Sequence, residues 1–182
     1  MVQSTTKSQK EVEVRAYCTI ESFVEGGRFM WRQATQLNMQ RNLRHEPSSV
    51  LIFALFHGNL LWVRHAVRGW EVPGGKIEVG EHAEAAVARE ALEEAGATLR
   101  NLRWLGEYAI VTDGKISFKW AYAADLWDVG ARSATSEIVD VRFFHPPLTP
   151  AAVEHRRDIS PIMKDEVYPA FWSLLQSQFA LA

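Results

Sequence analysis

With one cysteine, Cys18, in 182 residues, the chain can form no internal disulfide, and no cluster of cysteines and histidines offers a zinc site. Long hydrophobic runs are missing as well. The longest, "VLIFALF" at 50–56, falls far short of the roughly 20 residues that a membrane-spanning helix needs. The opening "MVQSTTKSQKEVEV" lacks the apolar core of a secretory signal, so the expectation is a cytoplasmic enzyme with no membrane partner. Charge of either sign is not in excess. A net charge of −2 gives no broad basic footprint for nucleic acid, and any nucleotide chemistry has to be local.

What is present suits one folded unit, since 47% of the residues are hydrophobic and the length can bury a sizeable core. Residues 1–10, rich in Ser, Thr, Lys and Gln, are expected to be disordered. Residues 11–182 then form a single domain, with 11–45 as an N-terminal β extension. Within that extension, "EVEVRAYCTIESFVEGGRFMW" suggests two strands around Gly26 and Gly27, whereas 33–49 has no clear period and reads as loop or short helix. Two buried strands, "SVLIFALF" and "LLWVRHA", flank a turn at His57-Gly58-Asn59. A helix is expected over 81–95, closed by Gly96. Beyond it, "RWLGEYAIV" and "ISFKWAYAADL" pair around Asp113-Gly114, and "VDVRFF" adds a strand. The tail from Pro161 is amphipathic at helical spacing, with Pro169 predicting a kink or two short helices.

The helix over 81–95 carries an electrostatic burden. On a helical wheel Ala85, Ala88, Leu92 and Ala95 fall on one side, which is expected to lie on a sheet. Glu90, Glu93 and Glu94 gather on the other at i, i+3 and i, i+4 spacing. Like charges so placed cost about 0.2–0.5 kcal/mol per pair, and carboxylates near a helix C-terminus oppose its dipole by about 0.3–1 kcal/mol each. A solvated helix face would ordinarily explain glutamates, but these lie in one cluster without nearby lysines. A bound divalent cation would offset the repulsion. Mg²⁺, or Mn²⁺, is the expected ion, because hard cations take carboxylate oxygens together with waters and substrate phosphates.

Ahead of the helix, "GWEVPGGKIEVGE" sets Gly74 and Gly75 after Pro73, giving a rigid turn whose backbone can approach a ligand closely. Gly75, Glu81 and "REALEEAGA" together reproduce the pattern Gly-x5-Glu-x7-Arg-Glu-U-x-Glu-Glu-x-Gly-U, with U aliphatic. By this pattern the sequence resembles the Nudix hydrolase superfamily. Gly75, Glu81, Arg89, Glu90, Glu93, Glu94 and Gly96 all match, while Ala91 and Ala97 are smaller than the usual aliphatics, a departure that concerns packing. The flanking "RGWEVPGGKIE" is similar to the MutT-like nucleoside triphosphatase branch. The resemblance implies an α/β fold, an α/β/α sandwich with a mixed β-sheet and a C-terminal helix.

For the site, the resemblance implies metal ligands at the Gly74 carbonyl, Glu90 and Glu94, with Glu93 binding directly or through water. Arg89 is expected to orient a glutamate, Glu81 being its partner. The general base is expected to be Glu90 first and Glu137 second, Glu137 lying in the loop before a strand where related enzymes carry a further metal-binding or catalytic glutamate. Lys76, Arg64, His65 and Gly75 are candidate substrate contacts, and Trp70, Trp104, Phe118 and Trp120 candidate surfaces for a base. For Arg64 and His65 an ordinary place at a strand end is an equal reading. No proline lies between Pro73 and Pro146, which removes the marker of ADP-ribose pyrophosphatases. The implied activity is metal-dependent hydrolysis of a nucleoside triphosphate to monophosphate and pyrophosphate, with guanine or oxidised-guanine nucleotides favoured by "RGWEVPGGK" and "KDEVYP". The alternatives are a 5′-pyrophosphohydrolase acting on the RNA 5′ end and a non-catalytic nucleotide-sensing domain. The N-terminal strands either extend the sheet or offer the surface of a homodimer.

Overall fold

The structure is a computed structural model that describes residues 17–21, 24–25, 28–29, 32–38, 45–112, 115–133, 136–179 and 181. The expected disorder of residues 1–10 lies outside them. In chain order the strands are β1 Tyr17–Glu21, β2 Val24–Glu25, β3 Arg28–Phe29, β4 Arg32–Asn38, β5 Ser49–Phe56, β6 Asn59–His65, β7 Gly69–Glu71 and β8 Gly74–Lys76, then β9 Ala97–Thr112, β10 Lys115–Val129 and β11 Ile138–Phe143. The helices are α1 Ala83–Ala95, α2 Pro150–His155 and α3 Val167–Gln178.

The main sheet runs β1-β4-β9-β10-β5-β6-β11, with β7 beside β6, β8 beside β5, and β2 paired with β3 apart from it. Strand β5 lies parallel to β10 and antiparallel to β6 and β8, so the sheet is mixed. Being central and covered on both faces, β5 is apolar almost throughout. The β5–β6 turn takes positive φ at His57 and Gly58, the conformation that suits a two-residue hairpin. The N-terminal strands join the sheet edge, β4 pairing with β9.

Helix α1 covers one face, burying Ala83, Ala86, Val87, Ala91 and Ala95 against Val50, Ile52, Tyr122 and Leu126. Helix α3 covers the other, its Tyr168, Phe171 and Leu175 packing on Phe53, Trp62 and Tyr108. The fold is therefore the expected α/β/α arrangement.

Several local expectations are corrected. The face of α1 that meets the sheet is the stripe through Ala83, Val87 and Ala91. Ala85, Ala88 and Leu92 are exposed, Leu92 at 53%. The stretch 33–49 read as loop or short helix holds all but the first residue of strand β4, and its residues 39–44 lie outside the described residues. Pro169 neither kinks nor splits the C-terminal helix, because it stands in the first turn of α3, where its missing N–H would have had no helical partner. The tail before it forms only a 3-10 turn, Pro161–Met163. Helix α2 was not anticipated, although Thr149-Pro150 is an N-cap followed by a proline at N1. The Thr149 side chain accepts from the N–H of Ala152 at 3.3 Å.

Candidate functional site

Two segments build the site, and their separate local requirements place its glutamates. The turn at Pro73 leads into β8, whose Gly74 and Gly75 pair with Leu51 and Val50 of β5. Close behind lies α1, which the small Ala86 and Ala91 allow to approach the sheet. Gly96 stops it in the left-handed conformation at φ 64, and its N–H caps the Leu92 carbonyl. Burial of Val87 alone contributes about 1.5–3 kcal/mol, more than a like-charge pair on the helix costs, so packing holds the acidic helix in place.

The two segments meet through Arg89. Its guanidinium donates from Nε and Nη2 to both oxygens of Glu81, each at 2.9 Å, and from Nη2 to the Lys76 carbonyl at 2.8 Å. Nη1 reaches Glu90 Oε1 at 2.9 Å and Glu93 Oε2 at 3.4 Å. One arginine therefore answers three of the glutamates and ties the loop to the helix. Hydrogen bonding to Arg89, aided by the Glu78 N–H, holds the Glu81 carboxyl down to about 2.

Glu90 and Glu94 differ from Glu93 in burial. The Glu90 carboxylate lies against Gly75, where a Cβ would stand 2.1 Å from Oε1, and its burial pushes its pKa up. Glu94 accepts from the Gly74 N–H at 2.9 Å. Burial pushes Glu94 up to about 8 against the pull of that hydrogen bond. Across a cleft of about 190 Å³ from Glu90, Glu93 and Glu94 stand Ser133, Ser136 and Glu137. That volume suits phosphate groups and ions rather than a whole nucleotide.

Glu137 is fixed at both ends. Its carbonyl accepts from the Ala66 N–H at 3.0 Å, and its Oε2 lies 2.9 Å from Nε2 of His65. His65 is itself buried, with the amides of Val67 and Arg68 donating to its Nδ1 at 3.1 Å.

The structure thus brings Gly74, Gly75, Glu81, Arg89, Glu90, Glu93, Glu94 and Glu137 together, with His65 joining through Glu137. Lys76 takes part through its backbone, its side chain being exposed. Arg64, paired across β6 with Trp70 and Asp140, is not among the residues lining the cleft. Trp70 is corrected as a base surface: it is buried in the α3-side core, edge-on to Phe144 at 5.1 Å. Trp104, Phe118 and Trp120 share the α1 face of the sheet, where His45 stacks on Phe118 at 3.9 Å. The sequence reading missed Ser133 and Ser136, which carry no spacing signal, and the bond between His65 and Glu137, which lie 72 positions apart.

These residues fit a hard divalent cation. The donors are all oxygens, Glu94 takes its charge easily only against a positive neighbour, and the bare Cα of Gly75 leaves room for the Glu90 carboxylate. Among the described residues no three acidic or histidine side chains converge into a ready-made cage. Such a set suits an ion that keeps waters and substrate oxygens in its shell.

The sequence matches the NUDIX domain over residues 45–165, and the chain belongs to the Nudix family. It is a Nudix hydrolase, and its relatives carry the names of diphosphatases and pyrophosphohydrolases. The putative 8-oxo-dGTP diphosphatase YtkD of Bacillus subtilis (strain 168) is 36% identical over 123 residues, covering 68% of this chain and 77% of that protein. An RNA pyrophosphohydrolase of Baumannia cicadellinicola subsp. Homalodisca coagulata is 36% identical over 62 residues, 34% of this chain and 39% of that protein. A crystal structure of a variant of the Bacillus subtilis pyrophosphohydrolase BsRppH is similar at a TM-score of 0.73 and 31% identity, covering 81% of this chain and 94% of that one. Nudix hydrolases generally use divalent metals. No helix among the described residues is long and apolar enough to cross a membrane.

Proposed function

We propose that this hydrolase splits a nucleoside triphosphate, guanine and oxidised-guanine nucleotides first, into the nucleoside monophosphate and pyrophosphate. The observation that carries the reading is the cleft between Glu90, Glu93 and Glu94 on α1 and Glu137 before β11, which places carboxylates on two sides of a space of phosphate size. The similarity to YtkD supports the choice of base. When bound, a divalent cation, with Mg²⁺ the proposed ion, neutralises the diphosphate and acidifies the attacking water.

The chain's own residues divide the remaining work. Glu90 and Glu94, with the Gly74 carbonyl, would hold the ion, and Glu93, the most exposed of the three, would bind it directly or through water. Arg89 binds Glu81 and Glu90 and fixes the loop against the helix. Glu137 takes the proton of the water whose oxygen bonds to phosphorus as the bridging P–O bond breaks and pyrophosphate leaves. We place Glu137 ahead of Glu90 as the base, reversing the order expected from the sequence. Glu90 is engaged by a guanidinium and pressed on Gly75, whereas the Glu137 side chain is 80% exposed at the cleft.

A second reading, release of pyrophosphate from the 5′ end of triphosphorylated RNA, is favoured by the likeness to BsRppH over 94% of that chain. One experiment tests both. The purified protein with Mg²⁺ is given dGTP, 8-oxo-dGTP, ADP-ribose and a 5′-triphosphorylated RNA, and released pyrophosphate or phosphate is measured. Turnover greatest on the free guanine nucleotides supports the first reading, and turnover greatest on RNA replaces it with the second. Silence on all four with Mg²⁺ and with Mn²⁺ defeats both.

A further inference from the structure

We propose that His65 is a positioning residue for hydrolysis, fixing Glu137 over the acidic face of α1 through a hydrogen bond from its Nε2. The inference rests on the reading of Glu137 as the base. It also gives His65 a role other than the phosphate contact expected from the sequence.

The tautomer is set by the turn that follows β6. The N–H groups of Val67 and Arg68 both point at Nδ1, each at 3.1 Å. A ring nitrogen that accepts two amide protons presents its lone pair and carries no proton of its own. In the neutral ring the hydrogen therefore sits on Nε2, which faces Glu137 Oε2 at 2.9 Å and must donate to it. The two ends of the imidazole thus have separate tasks, one closing the turn and the other holding a carboxylate that lines the cleft.

Glu137 gains an alignment that its own surroundings would not provide. Its side chain is 80% exposed while that of His65 is 7% exposed, so a freely rotating glutamate is tied to a rigid donor. The backbone is tied by the same neighbourhood. The Ala66 N–H bonds the Glu137 carbonyl at 3.0 Å, Ile138 pairs with His65 across β11 and β6, and Arg132 donates to the Ile138 carbonyl at 2.7 Å. Among the described residues its carboxylate accepts through Oε2. Partners that orient a reacting or ligating group in this way are worth about 10–100-fold in activity.

Two substitutions separate the two ends of the ring. His65→Asn keeps an acceptor where Nδ1 stood but is too short to reach Glu137, and His65→Gln restores a donor where Nε2 stood. In the full-length protein, kcat and KM are measured on 8-oxo-dGTP and on triphosphorylated RNA for both variants, for Glu137→Gln, and for the double variant His65→Asn/Glu137→Gln. The expected result is a fall in kcat of about 10–100-fold for His65→Asn with KM little changed, partial recovery in His65→Gln, and no further fall when His65→Asn is added to Glu137→Gln. Full activity of His65→Asn, or a loss in the double variant equal to the product of the single losses, overturns the inference while leaving Glu137 as base. Full activity of Glu137→Gln overturns the base assignment itself and the role of His65 with it. If His65→Asn proves unfolded by circular dichroism, the His65 ring is read in the wild-type protein by ¹⁵N NMR. Protonated Nε2 with unprotonated Nδ1 supports the inference, and a proton on Nδ1 overturns it.

Discussion

The Glu90 carboxylate occupies the place where a side chain on residue 75 would begin: a Cβ added to Gly75 would stand 2.1 Å from Glu90 Oε1. The obstacle is the end of a flexible side chain, which can swing aside, so Gly75→Ala should fold almost normally while moving a residue that works only in place. We expect its melting temperature to stay near the wild-type value and its kcat to fall about 100-fold. One residue earlier the outcome differs. A Cβ on Gly74 would meet the Val50 backbone oxygen at 2.3 Å, and backbone in a central strand cannot yield cheaply. Gly74→Ala should lose stability first, and thermal melts beside activity assays distinguish the two cases.

Arg89 makes a second prediction, because it serves several acceptors at once. Arg89→Lys keeps the charge but cannot span both oxygens of Glu81, the Lys76 carbonyl and Glu90. It should lower the melting temperature and reduce kcat. The pH dependence follows from Glu81, whose folded pKa is depressed to about 2 by Arg89. A depressed carboxylate contributes stability above its unfolded value of 4.5 and loses it as pH falls towards 2. Melts between pH 5 and pH 2.5 should therefore fall more steeply for the wild type than for Arg89→Lys, and parallel curves would dismiss the coupling.

The site was more legible in the sequence than the fold around it. Gly75, Glu81, Arg89, Glu90, Glu93 and Glu94 lie at short chain separations, so fixed spacing recorded that they come together. The β5–β6 hairpin was legible through its turn, and β9 and β10 pair as expected, while Asp113-Gly114 lies outside the described residues. The face of α1 was not, since alanines surround it on every side and Leu92 is an apolar residue that sits exposed at its end. Trp70 looked available for stacking because strand position alone does not tell which sheet face is covered, and α3 closes that face from 100 residues later in the chain. His65 stood in the sequence between a substrate contact and an ordinary strand end, because its partner Glu137 is adjacent only after β11 pairs with β6.

Away from the cleft, Asp165 gives a pH prediction of the opposite sign to that of Glu81. Burial raises its pKa from 3.8 to about 6, although the N–H groups of Val167 and Tyr168 and the charge of Lys119 oppose the shift. A carboxyl with a raised folded pKa costs nothing below its unfolded value, and its penalty grows as pH climbs from about 4 to about 6, reaching about 3 kcal/mol. Asp165→Asn keeps an oxygen to accept from the Val167 N–H at the start of α3. Its melting temperature should match the wild type near pH 4 and exceed it near pH 7. A variant less stable at both would show that the charge itself stabilises α3.

Glu94 joins stability to the ion. Its burial raises it to about 8, so without a positive neighbour the folded protein loses stability as pH rises from about 4.5 towards 8. A divalent cation held in the cleft would supply that neighbour and would bind only the folded chain, so Mg²⁺ should raise the melting temperature, and more at pH 8 than at pH 6. Glu94→Gln retains an acceptor for the Gly74 N–H and removes the charge. In chelator it should melt at or above the wild type at pH 8, yet gain little from Mg²⁺ and turn over slowly, because an amide is a poorer ligand for a hard cation. The comparison isolates the ligand role from the fold. A variant that keeps the full Mg²⁺-dependent rise in melting temperature would remove Glu94 from the ion's shell, whatever its activity.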